Sequence, residues 1–508
     1  MIRSFARSLV RSFVIVSGFV AVGDGASATT WYVDVVNGSD TYLGINAGQR
    51  PTSPFKTITF TLNHGLTPNI PTLAPGDEIY VAPGTYDVNS GESFPLTSTV
   101  TNIAIYGSGS SRPLITANGF TFSSPPSGVA AVFEPADRWV LSGLEINNSL
   151  YPKGNTSLSP YDHIFAVYIE NLGTSFAARN LLIVRNYWGI WIADHAPQAA
   201  SRTVTISDCD FERQGMTKAA PGLPDDIGHA ALMIGADTTL TATITNCSFK
   251  DNHDGIEGAQ SHVFGTNKPN PLNRATIIVT QCLFENNENG CECQDNVLFV
   301  EGCTFRTNQR RHPLLEGGVA NHFTIALGNR SAGLNVRYTV RRCWFDRNQM
   351  AFGTFGGPQI GVFGAPPTVV FDLGFDAAHP GENQFDTNIL VPWPNTYNES
   401  FCGVWTNHPD PIYAVGNYWT YDPSGNGAPP LDHNQGVVLV AGKGVYAPGG
   451  PTSLGPMVNI DPGPYPPPPT STPPNSPRYR PQVLPNVPWN VSAGPSVGTL
   501  GGPVIVVR

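Results

Sequence analysis

Ile277-Ile-Val279-Thr-Gln-Cys282-Leu-Phe284-Glu-Asn-Asn287 carries a pattern that recurs along the chain. It reads apolar, any, apolar, any two, Cys, any, Phe, any two, Asn or Gln. Further copies are Val204/Ile206/Cys209/Phe211/Gln214 and Ala242/Ile244/Cys247/Phe249/Asn252. Leu298/Val300/Cys303/Phe305/Asn308 and Tyr338/Val340/Cys343/Phe345/Asn348 follow. Two degenerate copies precede them, with Leu144/Ile146 and Leu181/Ile183 in the Cys/Phe places and Asn186 after the second.

Alternation puts each apolar pair on one face of a short strand. The two-residue step before the Cys is a bend, after which Cys and Phe point inward from a second strand. Asn after that strand suits a turn, because it bonds local backbone and tolerates the left-handed region. Stacked Asn side chains can also bond each other along the axis. The shortest spacing, Cys282 to Cys303, is 21 residues, about one three-sided coil; longer spacings imply loops inserted into the same coil. Helical repeats would need apolar residues at three- and four-residue steps, which are absent. A β-sandwich does not account for one motif recurring in register. The expected fold is all-β: a right-handed parallel β-helix, a single-stranded solenoid of like coils.

The termini read differently. Arg3, Arg7 and Arg11, the apolar run Phe13 to Val22 and Ala26-Ser27-Ala28 read as a signal peptide over 1–28, whose apolar run is too short to span a bilayer. Residues 29–125 read as an N-terminal cap and first coils, and 126–448 as coils with loop insertions. Residues 449–508 form a Pro/Gly-rich tail, extended and polyproline-like from Pro462 onward. The expected localisation is secreted, extracellular or at the cell surface of a bacterium. Only 13% of residues are charged and the formal charge is −10, which argues against nucleic-acid partners. It also argues against binding a polyanionic sugar without a bridging cation. The chain is expected to be a monomer without a transmembrane segment. Eight cysteines in an exported chain invite disulfides. Because five share one inward column, a stack of buried thiols is the simpler reading; bridges between adjacent rungs stay geometrically possible.

Near the start stand Trp31-Tyr-Val-Asp34, Asn37-Gly-Ser-Asp40, Ser53-Pro-Phe-Lys-Thr-Ile58, Pro75-Gly-Asp-Glu-Ile79 and Pro83-Gly-Thr-Tyr86. Ser53 is expected to cap a short helix, with Pro54 first and Phe55, Ile58 and Leu62 on one face, closing the open end of the solenoid. This block resembles the N-terminal module of secreted bacterial β-helix proteins of unknown function in the pectin-lyase-like superfamily. Asp372-Leu-Gly374, Gly381-Glu-Asn383 and Gly416-Asn-Tyr-Trp419 resemble their late coils. The resemblance covers roughly residues 31 to 420 and implies the fold, not an activity.

The register lets outward columns be read. After each inward Phe stand Glu212, Lys250, Glu285, Arg306 and Asp346, alternating in sign from rung to rung, which reads as a salt-bridge ladder. The strand after the Asn turn has inward pairs Ile190/Ile192, Leu232/Ile234, Ile256/Gly258 and Cys291/Cys293, then Phe352. Its outward line runs Trp191, Met233, Glu257, Glu292, Gly353, and a neighbouring line Tyr187, His229, His253, Glu288, Gln349, with Asp254 between. Glu257, Glu292, His253 and His229 are the candidate catalytic residues. Carboxylates about 5 Å apart can share a proton or a cation, and that spacing matches retaining glycosidases. Alternatively Asp254, Glu257, Glu288 and Glu292 bind Ca²⁺, which would bridge an acidic sugar. Trp191 and Tyr187 would give apolar faces to sugar rings, and Arg306 and Arg310 would supply cations. The bland reading is a solvated acidic face.

The superfamily's enzyme signatures do not carry over: Asp225-Asp226 followed by Gly228-His229 is a loose echo of polygalacturonases, and their Asn-Thr-Asp is missing. Two classes stay open. One is a polysaccharide lyase or glycoside hydrolase acting on an extracellular polysaccharide or cell-surface glycan. The other is a non-catalytic surface or structural solenoid.

Overall fold

The computed structural model describes residues 28–419, less 43–45, 65–70, 123–128, 150–163, 195–197, 215–229, 259–273, 288, 309–323, 330–335, 347, 349–351, 357–368, 375–378, 386–403, 407–411 and 414–417. The signal peptide expected over 1–28, save its last residue, and the tail expected over 449–508 therefore lie outside the described residues.

Three long sheets, all parallel, share the strands in rotation, so each turn of chain lays one strand on each. Among the described residues, sheet I has twelve strands, from Thr30–Val33 to Ile412–Tyr413. Sheet II has eleven, from Thr85–Tyr86 to Tyr418–Trp419, and sheet III has ten, from Leu96–Thr97 to Val404–Thr406. This is a parallel β-helix. The core is a continuous column between the sheets, because each coil can bury its apolar side only against its neighbours.

The repeat is the reason for the stacking. Sheet II pairs Ile146, Ile183, Phe211, Phe249, Phe284, Phe305 and Phe345 in one register line. Phe211 to Phe345 stack nearly flat, with ring centroids 4.7–4.9 Å apart, the spacing of the strands themselves. Leu144, Leu181 and the five repeat cysteines are all buried. Cys247 and Cys282 donate their backbone N–H to the Sγ of the next rung's Cys at 3.4 Å. The seven described cysteines are free thiols.

Sequence reasoning put the left-handed residue of each turn at the Asn; the structure puts it one position earlier. Arg185, Arg213, Asp251, Asn286 and Thr307 have φ of 52–59° or, for Thr307, 51°. The Asn and Gln side chains are buried instead, in a hydrogen-bonded ladder from Asn148 through Asn186, Gln214, Asn252, Asn287 and Asn308 to Asn348. A buried amide must satisfy donors and acceptor alike, and stacking on its own kind together with a backbone carbonyl of the preceding coil does that here. The bend before each Cys uses the same conformation, at Asn180, Asp208, Asn246, Gln281, Gly302 and Arg342.

The helix also starts later than expected. It spans Ile58–Asn63 with Thr57 as N-cap, whose side chain accepts from the Phe60 N–H at 3.0 Å. Ser53 does not cap it. Phe55 is still extended, donating to Tyr32 O and accepting from the Asp34 N–H. Asp40 holds Lys56 and Thr57, and the Glu92 carboxylate accepts from the Ile58 and Thr59 N–H groups. Ile58 and Leu62 are buried with Trp31, Val33 and Phe55 at the first rung. Among the described residues no helix is long and apolar enough to cross a membrane.

Candidate functional site

The outer wall of sheet III gathers most of the candidates. The register lines up Tyr168, Trp191, Met233, Glu257, Glu292, Ala326 and Gly353. The inward line runs Ile190, Leu232, Ile256, Cys291, Ile325, Phe352. Both lines agree with the sequence reading except for one strand it missed, Ile325–Asn329, which lies between the coils of Glu292 and Gly353.

A second outward line was not legible as such. The pairing skips one residue between Asp254↔Asn289 and Ile256↔Cys291, between Ala230↔Asp254 and Leu232↔Ile256, and between Phe165↔Trp188 and Val167↔Ile190. The Thr324 carbonyl accepts from both the Gly290 and Cys291 N–H groups at 2.9 Å, the mark of a bulge. The residue at the skip is small: Ala166, Gly189, Ala231, Gly255, Gly290. A Cβ on Gly255 would meet Gly290 O and the Phe284 ring, and one on Gly290 would meet Thr324 O and the Phe305 ring. The bulge therefore turns two consecutive residues toward the core and leaves outward residues three apart. Trp188/Trp191, Ala230/Met233, Asp254/Glu257 and Asn289/Glu292 form the outer pairs of successive coils.

These pairs change character along the axis. The upper coils make a cluster of Phe165, Tyr168, Tyr187, Trp188, Trp191 and Met233. Trp188 stands 4.9 Å from Trp191 between ring centroids and lies flat against Phe165 at 6.0 Å. The next two coils are polar. His253 Nδ1 lies 2.9 Å from Asp254 Oδ2, and Asn289 Nδ2 donates to Asp254 Oδ1 at 2.7 Å and to Glu292 Oε2 at 3.5 Å. Glu257 is the register partner of Glu292, about 4.8 Å away along the backbone. His253, Asp254 and Asn289 are buried; Glu257 is 9% exposed and Glu292 half-buried. Behind them burial pushes the Cys291 and Cys293 thiols up, with the Asp254 charge adding at Cys291 and Glu292 and Glu257 adding at Cys293. The thiols stay protonated core groups.

Several expectations need correction. Trp191 and Tyr187 are 3% and 8% exposed, so the open aromatic platform is instead a packed cluster, because the paired outward positions let rings from two coils, with Met233 from a third, cover one another. Arg306 belongs to sheet II, not to this wall: it bonds Glu285 at 3.3 Å and lies over the Trp344 ring at 5.6 Å. It works in the charge ladder, with Lys250 3.8 Å from Glu285 on the other side. His229, Glu288 and Arg310 lie outside the described residues, as do Asp225 and Asp226. Of the proposed Ca²⁺ ligands, both Asp254 oxygens are already engaged by His253 and Asn289. Among the described residues no three His, Cys, Asp or Glu side chains are grouped to hold a metal, and Glu288, the remaining proposed ligand, lies outside them.

The wall is braced where its strands leave for sheet I. Arg202 is buried and bridges Asp194 and Asp237, each at 2.6 Å. Burial raises the Asp194 carboxyl above its ordinary value despite Arg202. Burial would raise Asp237 too, but hydrogen bonds from Thr239, the Gln198 amide and Arg202 outweigh it and bring that carboxyl to about 2. Segments 150–163, 215–229 and 309–323 each lead directly into a sheet III strand, and 259–273 leaves one, so the longest insertions of these coils all adjoin this wall in the chain.

Comparison with known proteins gives the following. No curated protein matches the chain. Among solved structures, the GH136 lacto-N-biosidase from Eubacterium ramulus is 14% identical, with 77% of this chain and 68% of that one covered at a TM-score of 0.38. PfbA, a surface adhesin of Streptococcus pneumoniae, is 14% identical over 68% of this chain and 84% of its own, at 0.42. A rhamnogalacturonan lyase is 12% identical over 73% and 90%, at 0.38. One family model, described as protein of unknown function (DUF1565), matches residues 36–290. That stretch runs from the N-terminal cap through the coils of Glu257 and into that of Glu292, and the chain belongs to this family.

Proposed function

We propose that this protein is exported and acts on an extracellular polysaccharide as a glycoside hydrolase, with the outer wall of sheet III as its active site. The observation that carries the reading is the gathering of Asp254, Glu257 and Glu292 with His253 on two successive coils, directly below an aromatic cluster. Two carboxylates one strand apart suit a retaining hydrolysis, in which one carboxyl group protonates the leaving oxygen and the other attacks the anomeric carbon. Glu257 and Glu292 sit in unlike surroundings, one buried and one half-buried, which is the condition for dividing acid and nucleophile between like groups. In this reading Glu257 is the acid and Glu292 the nucleophile. Asn289 ties Glu292 to Asp254, and Asp254 orients the His253 ring. A sugar chain repeats on about the 4.8 Å rung spacing, so a glycan can lie along the axis with one ring per coil.

A second reading is a non-catalytic surface solenoid, favoured by the burial of Trp188 and Trp191. A screen of the full chain on a polysaccharide panel, for reducing ends and for unsaturated products, separates the two. Hydrolysis predicts reducing ends without unsaturation, reduced at least roughly tenfold by Glu257→Gln or Glu292→Gln with folding unchanged. Unsaturated products would mean a lyase, and no product with no glycan retention leaves the solenoid reading.

A further inference from the structure

The outer face of sheet I differs from the other two. Over three successive rungs its outward positions are Thr203, Thr205 and Ser207, then Thr241, Thr243 and Thr245, then Thr276, Ile278 and Thr280. Seven of these nine positions are Thr, one is Ser and one Ile. The rung above presents Ser175 and Ala177, and the rung below Val297 and Phe299. Charge enters only at the corners, at Arg179 and Glu301. Thr203 is exposed and the other eight are half-buried among one another.

Strand propensity alone does not explain this. The same three coils turn Asp210, Glu212, Lys250 and Glu285 outward on sheet II, although Thr would serve a strand equally well there. On sheet I the register is unbroken, so the outward positions form a regular net with edges of about 4.8 and 6.6 Å. β-branched side chains are stiff at χ1, which holds the net without a partner. Thr280 Oγ1 donates to Thr245 Oγ1 at 2.9 Å, so that column is ordered along the axis.

A rigid, uncharged, periodic net on a chain of charge −10 complements a partner that is itself flat, uncharged and periodic on the same few-ångström scale. A partner held by stacking would need exposed aromatic faces, and the nine positions contain none. Each Thr offers a methyl and a hydroxyl, a combination that suits a lattice of water molecules, which accepts and donates hydrogen bonds and fills the spaces between methyls. We propose that the sheet I face spanning Thr203–Ser207, Thr241–Thr245 and Thr276–Thr280 binds the surface of ice. This rests on none of the residues of the sheet III wall.

The test is partition of the full-length protein into slowly growing ice, with microscopy of ice-crystal growth. The wild type is expected to be incorporated into ice and to shape crystals. Thr243→Lys puts a charge at the centre of the net without touching the core and should be excluded like an inert control protein. Thr243→Val should keep part of the effect, and Glu212→Lys on sheet II all of it, with thermal melting verifying that each variant folds. Exclusion of the wild type from ice overturns the proposal, and so does full incorporation of Thr243→Lys. Retention on crystalline cellulose or chitin in place of ice, or a solution dimer broken by Thr243→Lys, would assign the face to those partners and equally overturn it.

Discussion

Asn252 donates both its backbone N–H and its side-chain Nδ2 to a single atom, the Oδ1 of Asn287 one coil further on, each at 3.0 Å. Asn287 does the same to Asn308 at 3.0 and 3.1 Å, while its Nδ2 also donates to Phe249 O at 2.9 Å. The ladder leaves no amide group of these side chains idle in a buried turn.

Asn287→Ala should therefore cost at least about 2 kcal/mol, since it strands the buried Asn252 backbone N–H and Nδ2 and the Phe249 carbonyl, while its own backbone N–H still reaches Asn308 Oδ1. Asn287→Gln should recover part of it, because Gln214 already serves in this column, accepting from Asn186 and donating to Ile183 O. Chemical denaturation of the three proteins checks this. Equal loss in both variants would mean that the ladder's hydrogen bonds are not what the position needs.

Phe284 lies between Phe249 and Phe305 at 4.8 and 4.7 Å. Phe284→Ala opens a cavity in the middle of a stack and should cost roughly 3–5 kcal/mol. A loss under about 0.5 kcal/mol, typical of surface changes, would show that the stack does not support the coil.

The bulge is a prerequisite of the wall. Gly255→Val would drive its side chain into Gly290 O and the Phe284 ring, costing about 1–3 kcal/mol by overpacking. Part of the strain should be relieved by straightening the strand, which would rotate Asp254 away from Asn289. The expected result is loss of glycan turnover in protein that still folds; unchanged turnover would separate the bulge from the site.

Two carboxylates give opposite pH responses. Burial, opposed by Arg112, raises Asp210 from 3.8 to about 6. A raised acid contributes stability that is present below the unfolded value and lost as pH rises through the folded one. Asp210→Asn should thus abolish a loss of stability between pH 4 and about 6. Asp237, lowered to about 2, contributes stability present above 3.8 and lost as pH falls toward 2. Melting temperatures of wild type, Asp210→Asn and Asp237→Asn across pH 2–8 test both signs; matching profiles for wild type and Asp210→Asn between 4 and 6 would count against the first.

What was legible in the sequence was what repeats in register. Cys209, Cys247, Cys282, Cys303 and Cys343 fixed the coil, and the Glu257/Glu292 column followed by counting. The second outward line was hidden, because Gly255-Ile256 and Gly290-Cys291 break the alternation that strand reading assumes. A small residue ahead of each inward position, at Gly189, Ala231, Gly255 and Gly290, was the available signal. The strand Ile325–Asn329 was hidden because the long stretch over 309–323 parts it from the Cys303 repeat of its own coil. Burial of Trp191 was not legible either: a strand pattern gives the face of a residue but not what its neighbours on adjacent coils cover. The helix start at Thr57 depended on Asp40 and Glu92, which approach from elsewhere in the chain.

The central claim is that Glu257 and Glu292 face a bound sugar. The most direct measurement is a crystal structure of Glu257→Gln soaked with the oligosaccharide that the product screen selects. The account predicts a sugar ring within hydrogen-bonding distance of Gln at position 257 and of Glu292, with the chain continuing along sheet III toward Trp191. Sugar bound in an ordered way on sheet I or sheet II, with none against these two residues, would contradict it.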